Sequence, residues 1–419
     1  MQLEVVTIGD ELLLGFTLDT NGAHLARELA QSGVTVTRRT SVGDGADDIA
    51  AAVREALDRT GAVITTGGLG PTSDDLTKAS IATLFGRAMR LDDSIVERMR
   101  ERWKSRGWPG ELPESNKQQA LIPDGAIVLE NRHGSAPGIW LEDERGRWVA
   151  MLPGVPREMR GMLADTLLPR IRALVIGEPT VVASRTIRTT GISESALSDR
   201  IRSLTDLDFE GLGLAYLPGW EGVDLRLTAR DVTAQDAESR FARVGSALRE
   251  AAGDHVYGEG SEDLAVSVLA ALRGARKTIA VGESCTGGML GMRLTAVPGS
   301  SDVMLGGVIA YHNDVKMRQL GVRAATIATH GAVSEETARE MATGARALIG
   351  ASVGVGITGI AGPDGGTADK PVGTVCIAAD VDGTVKSVRV SMVGDRHEVR
   401  LRSAQSALNL LRRMLAGTA

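Results

Sequence analysis

The sequence predicts an α/β protein of about three domains: a doubly wound N-terminal unit, a small α+β unit in the middle, and a second α/β unit at the C-terminal end. Three observations carry this. Apolar strand-like runs alternate with amphipathic helical runs from the first residues to about residue 170, the signature of a mostly parallel sheet covered by helices. Period-two segments such as VVASRTIRTT and GVDLRLTAR then take over, as half-buried strands do. Beyond about residue 256 the β–α alternation resumes. A chain of 419 residues suits about three domains, and the expected bounds are 1–172, 173–256 and 257–419.

The elements follow in order. LEVVTIG is a short apolar strand closing on Gly9. NGAHLARELAQSG places Leu25 and Leu29 on one helical face and stops at Gly33. VTVTRRTSV reads as a strand, ADDIAAAVREALDRTG as a helix ending before Gly61, and AVITTGG as a buried strand closing on Gly67 and Gly68. In such sheets ligands bind beyond the carboxyl ends of strands, and both IGDE and GGLGPTSDD fall there. In the middle unit SESALSDRIRSL and AQDAESRFARVGSALREAAG read as amphipathic helices, and YGEGSED as a linker. The last unit reads helix, strand TIAVG, helix, strand, helix, strands SVGVGITG, VGTVCIAAD and SVRVSMV, and a terminal helix. Its opening residues Asp395 and Glu398 fit a capping box.

Composition narrows the function classes. The hydrophobic fraction is 43% and the charged fraction 24%, ordinary for a globular protein. A net charge of −6 supplies no basic field for nucleic acid. Cys285 and Cys376 are far apart and form no CxxC, which points to a reducing, cytoplasmic setting. Glu4, Asp10 and Glu11 interrupt any signal-peptide core, and no window is apolar and long enough to cross a membrane.

The stretch ESCTGG concentrates a serine, a cysteine and a threonine at a strand-to-helix turn. The amides of Thr286, Gly287 and Gly288 would lie at a helix N-terminus, where they can hold an oxyanion or an anion. No GxSxG elbow is present, and the histidines are scattered. Lys316, in AYHNDVKMRQLG, is a candidate base in the first turn of a helix that Asn313 or Asp314 could cap. A solvated lysine is its plain reading; burial would turn it into a base. Tyr311 could hydrogen-bond the pair. Cys285 is the rival nucleophile, or a small buried hydrophobe. The glycine-rich loop Ile357–Gly373 reads as a flexible connection or as a backbone cradle for a polar ligand. Arg396 could face a phosphate or simply be solvated.

Read together, IGDELLLG, DTN, GGLGPTSDDLT, NRHGSAPG, PGVPREM, ESCTGG, YHNDVK, HGAVSEE, GIAGPDGG and KPVGT resemble, in order and through nearly the whole chain, the CinA (competence/damage-inducible) family. The resemblance implies that the third domain is similar to nicotinamide mononucleotide deamidases, with Ser284 as nucleophile and Lys316 as base in an acyl-enzyme mechanism that needs no cofactor. Thr286, Gly287, Gly288, Gly359, Ile360, Ala361, Gly362 and Arg396 would then bind substrate, with the phosphate on Arg396 and the Gly359 to Gly366 loop. It also implies an N-terminal domain similar to the MoaB/MogA-like fold, linked in this family to metal-dependent ADP-ribose pyrophosphatase activity. Gly67, Gly68, Gly70, Pro71 and Thr72 would cradle the diphosphate. Asp74 and Asp75 would offer oxygen ligands to Mg²⁺ or a transition metal such as Co, unless they serve only as helix cap and first-turn acid. Asp10 and Glu11 could add ligands to that metal, with a solvated turn as their plainer reading. The middle unit is similar to a KH-like fold and its GWEG, Gly219 to Gly222, has the G-x-x-G form; Glu221 inside it and the acidic balance make a spacer or dimerisation role the expectation, and nucleic acid is not an expected partner. A homodimer is expected. The rival reading is a nucleotide- or pterin-binding regulatory protein without turnover. One departure is visible: Gly282 stands where the family commonly has Ala, which predicts a slightly looser strand end.

Overall fold

The computed structural model describes residues 1–175, 180–204 and 208–418. The chain divides into two compact units, one of residues 1–183 with 229–238, the other of 184–228 with 239–419.

In the first unit, strands β1 (Gln2–Ile8), β2 (Thr35–Val42), β3 (Ala62–Thr66), β4 (Ile127–Leu129), β5 (Gly138–Glu142) and β6 (Trp148–Leu152) form one sheet in the order β2-β1-β3-β6-β5-β4. The four strands β2, β1, β3 and β6 are parallel, as the alternation predicts. The last two are not: β5 runs antiparallel to β6, and β4 to β5. The reason is the short turn Asp143–Arg147, which leaves no length for a crossover helix. Helices α1 (Thr20–Gln31), α2 (Ala46–Thr60), α3 (Thr77–Leu84), α4 (Asp93–Ser105) and α5 (Pro156–Met162) cover the sheet. Leu25 and Leu29 of α1 are buried, and Asp19 caps the helix by accepting the Gly22 amide.

The second unit holds most of one sheet and all of another. Strands β7 (Val181–Thr189), β8 (Gly213–Pro218), β9 (Val223–Val232) and β10 (Val256–Glu259) stand in the order β8-β9-β7-β10, with helices α6 (Glu194–Arg202) and α7 (Ala234–Ala252). The stretch expected as a linker, YGEGSED, begins inside β10, which pairs antiparallel with β7. Tyr257 is buried there, so this edge strand is held by its side chain as well as by its ladder.

Helix α8 (Leu264–Gly274) leads into the second sheet. Strands β11 (Ile279–Glu283), β12 (Met304–Ile309), β13 (Val353–Gly359), β14 (Thr374–Val381) and β15 (Thr384–Ser391) are ordered β12-β11-β13-β14-β15. β12, β11 and β13 are parallel, β14 runs antiparallel to β13, and β15 antiparallel to β14. Helices α9 (Met289–Thr295), α10 (Asn313–Leu320), α11 (Glu335–Ile349) and α12 (Arg396–Leu415) complete it. α12 opens with the expected capping box of Asp395 and Glu398. Gly282 is a tight spot rather than a loose one, because a Cβ there would lie 2.9 Å from Leu320 Cδ1 and 3.2 Å from the Met341 carbonyl. Among the described residues no helix is long and apolar enough to cross a membrane.

Candidate functional site

Strand β11 lies between β12 and β13, with Glu283 opposite both Ile309 and Ile357. The segments that follow these three strands therefore emerge at one sheet edge: Ser284–Gly288, Ala310–His312 and Ile360–Gly362. The join is tight, because the Ser284 amide donates to the Ile357 carbonyl (2.9 Å) and the Ala310 amide to the Glu283 carbonyl (2.7 Å).

Lys316 is buried, at 2% exposure, on the first turn of α10. Its Nζ donates to the Tyr311 carbonyl at 3.1 Å. Burial lowers its pKa, and the neighbouring Cys285 side chain opposes that shift. The Tyr311 carbonyl that Nζ holds follows Ala310, whose amide bonds the Glu283 carbonyl, so the amine and the ESCTGG turn flank one another, with no hydrogen bond between Nζ and Ser284 Oγ. The helix is capped by His312, whose Nδ1 accepts the Asp314 amide, rather than by Asn313 or Asp314. Ser284 is buried too. Cys285 is a packed neighbour: it is 6% exposed, and desolvation pushes its thiol up to about 12. A thiol so raised is a poor nucleophile at neutral pH.

Tyr311 does not bridge serine and lysine as expected. The residue is 59% exposed, and its hydroxyl accepts from Arg396 Nη2 at 2.8 Å. Arg396 Nη1 donates to the Gly362 carbonyl at 2.6 Å. Arg396 thus joins the Tyr311 segment to the glycine-rich loop, with its guanidinium at the rim of the site. The loop itself is less open than a cradle requires: the Ile360 amide donates to the Thr374 carbonyl, the Ile360 carbonyl accepts from Gly373, and Ala361 is buried in the core. Gly359 is needed for close approach, since a Cβ there would lie 3.0 Å from Cys285 Sγ and 2.9 Å from the Thr374 carbonyl.

Two of the three amides expected to hold an oxyanion, those of Gly287 and Gly288, are engaged. Gly287 N–H donates to the Ser284 carbonyl at 3.0 Å. Glu283, at 1% exposure, accepts from the amides of Gly288 (3.1 Å), Leu290 (3.1 Å) and Gly291 (2.8 Å). A buried carboxylate therefore fills the α9 N-terminus and braces the turn, which removes Gly288 as a free donor, as the Ser284 carbonyl removes Gly287. Thr286 keeps a buried hydroxyl without a hydrogen-bond partner, and its carbonyl accepts from Arg400 Nε (3.2 Å) and Nη2 (2.9 Å). Sequence reasoning missed Glu283 and Arg400. The available signals were a charged residue closing an otherwise apolar strand, and an arginine four positions after Arg396 on the same helical face.

At the carboxyl edge of the first unit's sheet, the GGLGPTSDD loop is bound up by its own Asp75. Oδ1 accepts the Gly70 amide (2.7 Å), and Oδ2 accepts both the Thr72 amide (2.8 Å) and the Thr72 hydroxyl (2.5 Å). The Gly67 amide donates to the Leu152 carbonyl, and a Cβ on Gly67, at φ 114°, would lie 2.1 Å from the Ile8 carbonyl. Gly68 also has positive φ, and Pro71 sits at the loop's tip, half-buried. α3 begins at Thr77 with Leu76 as its cap, so neither Asp74 nor Asp75 caps it. Asp10 is tied to Asp44 by reciprocal backbone-to-carboxylate bonds. Sequence reasoning also missed Lys78: it is buried beside this loop, donates to the Gln118 and Gln119 carbonyls, and is pushed down to about 8 by burial.

A divalent metal can be tested against these donors. Both Asp75 oxygens are already hydrogen-bond acceptors, Asp74 is exposed, and among the described residues no group of three metal-ligating side chains exists. The residues do not fit a resident metal held by the Asp74–Asp75 pair. Asp75→Ala is expected to lower the unfolding free energy of the N-terminal unit by roughly 1–3 kcal/mol, because it orphans two loop amides. Asp74→Ala should move the urea midpoint far less, and urea melts of the two variants compare them.

Family models match all three regions: residues 4–173 match a probable molybdopterin binding domain, 184–258 the damage-inducible protein CinA KH domain, and 261–415 the CinA C-terminal domain. A CinA-like protein of Gemmatimonas aurantiaca is 59% identical over 416 residues, covering 99% of this chain and 97% of its own length. A CinA-like protein of Salinibacter ruber is 43% identical over 417 residues, covering 99% and 100%. Among solved structures, a competence/damage inducible protein from Agrobacterium tumefaciens is 39% identical, covers 36% of this chain and 93% of its own, and has a TM-score of 0.36. Identity of this degree along 99% of the sequence, with a MoaB/MogA-like N-terminal domain, a KH-like middle domain and a CinA C-terminal domain in that order, shows that the chain belongs to the CinA family.

Proposed function

We propose that the C-terminal domain is an amidohydrolase that deamidates nicotinamide mononucleotide to nicotinate mononucleotide and ammonia. The observation that carries this reading is the buried Lys316, whose amine lies beside the Ser284 turn with its pKa lowered by desolvation. A neutral lysine has a lone pair to accept the serine proton while its N–H holds the Tyr311 carbonyl. In this reading Ser284 Oγ attacks the carboxamide carbon, and its proton passes to Lys316 and on to the departing ammonia. Water then cleaves the acyl-enzyme, with Lys316 again taking the proton. Arg396 at the rim suits a phosphate once its bonds to Tyr311 and Gly362 are exchanged for phosphate oxygens. The test is ammonia release from nicotinamide mononucleotide by the purified protein, with the acid product identified. Binding without ammonia would replace the reading by that of a nucleotide-binding regulatory protein.

The pH dependence follows from the same burial. Lys316 acts as a base only when neutral, and desolvation makes it lose its proton below the ordinary lysine value of about 10.4. The kcat should therefore climb with pH through that lowered value and then level off. Linkage has the same sign: the stability from the neutral buried amine is complete above the unfolded value and is lost as pH falls through the folded one. A flat rate profile up to pH 10 would remove Lys316 as the base.

For the N-terminal domain we infer hydrolysis of the ADP-ribose phosphoanhydride, supported by the loop that Asp75 holds rigid at the sheet's carboxyl edge. A divalent cation of the Mg²⁺ type is usually bound by one or two carboxylates plus substrate phosphates, where it neutralises phosphate charge. The exposed Asp74 suits such a cation arriving with the diphosphate. Loss of ADP-ribose hydrolysis on chelation is the expected result. The reading extends to a cytoplasmic homodimer, to be checked by sedimentation; the two thiols, Cys285 and Cys376, are buried and unpaired.

A further inference from the structure

The Gly219–Gly222 stretch is a hairpin turn between β8 and β9, with Pro218 paired to Val223. Its Gly219 amide donates to its own Gly222 carbonyl at 2.8 Å. Gly222 lies flat against the end of β7, where a Cβ would come within 1.9 Å of the Thr189 carbonyl. The outward side of the turn is taken up within the same compact unit. Gln405 of α12, at 3% exposure, donates to the Glu221 carbonyl (3.0 Å) and the Thr190 hydroxyl (3.2 Å). Arg293 of α9, at 5% exposure, lies 5.2 Å from the Trp220 ring centre, donates to Gln405 Oε1 at 2.8 Å, and approaches Glu221 at 3.8 Å. Arg293 also forms a two-point pair with Asp263, the cap of α8. On the other side Glu221 pairs with Arg188, which also binds Asp224 at 3.0 Å.

Both helices under this hairpin have their other end in the candidate active site. The first turn of α9 is held by Glu283, directly before Ser284, and its last turn by Arg293. α12 carries Arg396 at the site rim and Arg400 on the Thr286 carbonyl. Gln405 lies nine residues after Arg396, roughly 13 Å along the axis at 1.5 Å per residue. A packed helix transmits displacement at one end to the other.

We propose that the GWEG hairpin is a docking plug by which the KH-like domain holds α9 and α12, and that Trp220, Glu221, Arg293 and Gln405 are positioning residues for the nucleophile turn and Arg396. The G-x-x-G backbone is committed to contacts inside the chain, with Glu221 and Asp224 disfavouring a phosphodiester. The kinetic consequence rests on the deamidase reading; the mechanical coupling does not.

The test uses the full chain with Trp220→Ala plus Glu221→Ala, and separately Glu221→Gln, which keeps the side chain's shape and removes its charge. Amide hydrogen exchange at Gly288, Leu290 and Gly291 should quicken about tenfold or more in the double variant and less in Glu221→Gln, while exchange in residues 1–175 stays unchanged. The kcat for ammonia release should fall by about tenfold, with KM changing less. Unchanged exchange at those three amides in either folded variant would overturn the proposal. So would protection of Gly219–Gly222 in the wild-type chain by a short single-stranded oligoribonucleotide. If the wild type releases no ammonia but the exchange coupling is seen, the deamidase reading fails and the plug stands.

Discussion

Ser284→Ala and Lys316→Ala are each expected to lower kcat for ammonia release by about a thousandfold or more, with little further loss in the double variant. In the proposed mechanism the two side chains serve one proton transfer, so removing either removes the step. Ser284→Ala keeps the turn, because the bonds there run through the Ser284 amide and carbonyl rather than its hydroxyl. Lys316→Met keeps the packed volume and loses the base, which separates chemistry from folding. Cys285→Ala provides the contrast: a buried thiol raised to about 12 contributes packing, so this variant should keep its kcat within a few-fold. Steady-state kinetics on these variants checks the assignment. Retained turnover in both Ser284→Ala and Lys316→Ala would sink the dyad, and loss in Cys285→Ala alone would move the nucleophile by one residue.

Glu283→Ala is expected to cost roughly 3–5 kcal/mol of stability, since it leaves three amides of α9 without their acceptor inside the fold. The kcat should fall with it, because Ser284 follows directly and the α9 helix would be free to shift. Glu283→Gln should be milder. It keeps one carbonyl oxygen for two of the three amides and turns an NH₂ group toward the third. Denaturant unfolding and kcat measured on the same preparations test this. An alanine variant as stable as the wild type would mean that the three bonds contribute nothing net.

The alternation of strands and helices, the capping box at Asp395, and the positions of Ser284 and Lys316 next to strand ends were legible in the residues, because periodicity and local capping depend on near neighbours. The antiparallel edge of the first sheet was half legible: a turn as short as Asp143–Arg147 cannot make a parallel crossover. Strand β10 was hidden inside a polar, glycine-containing stretch, since its reason for being a strand is the edge of β7, a partner more than sixty residues away.

The candidate site divides along the same line. Residue types and their order offered a serine or a cysteine as nucleophile and a lysine as candidate base, and the family resemblance favoured serine over cysteine. Whether that lysine could act as a base was a matter of burial, and burial is a property of every element packed around it. The same holds for the amides of Gly287 and Gly288 and for Asp75. Each is the type of group that binds a ligand, and each is already spent on a partner within the fold. A hydrogen-bonding group has few bonds to give, and the linear order of residues shows the group but not what it already holds. Only the packing of α9 and α12 against the GWEG hairpin reveals that a motif shaped like a nucleic-acid clamp faces its own chain.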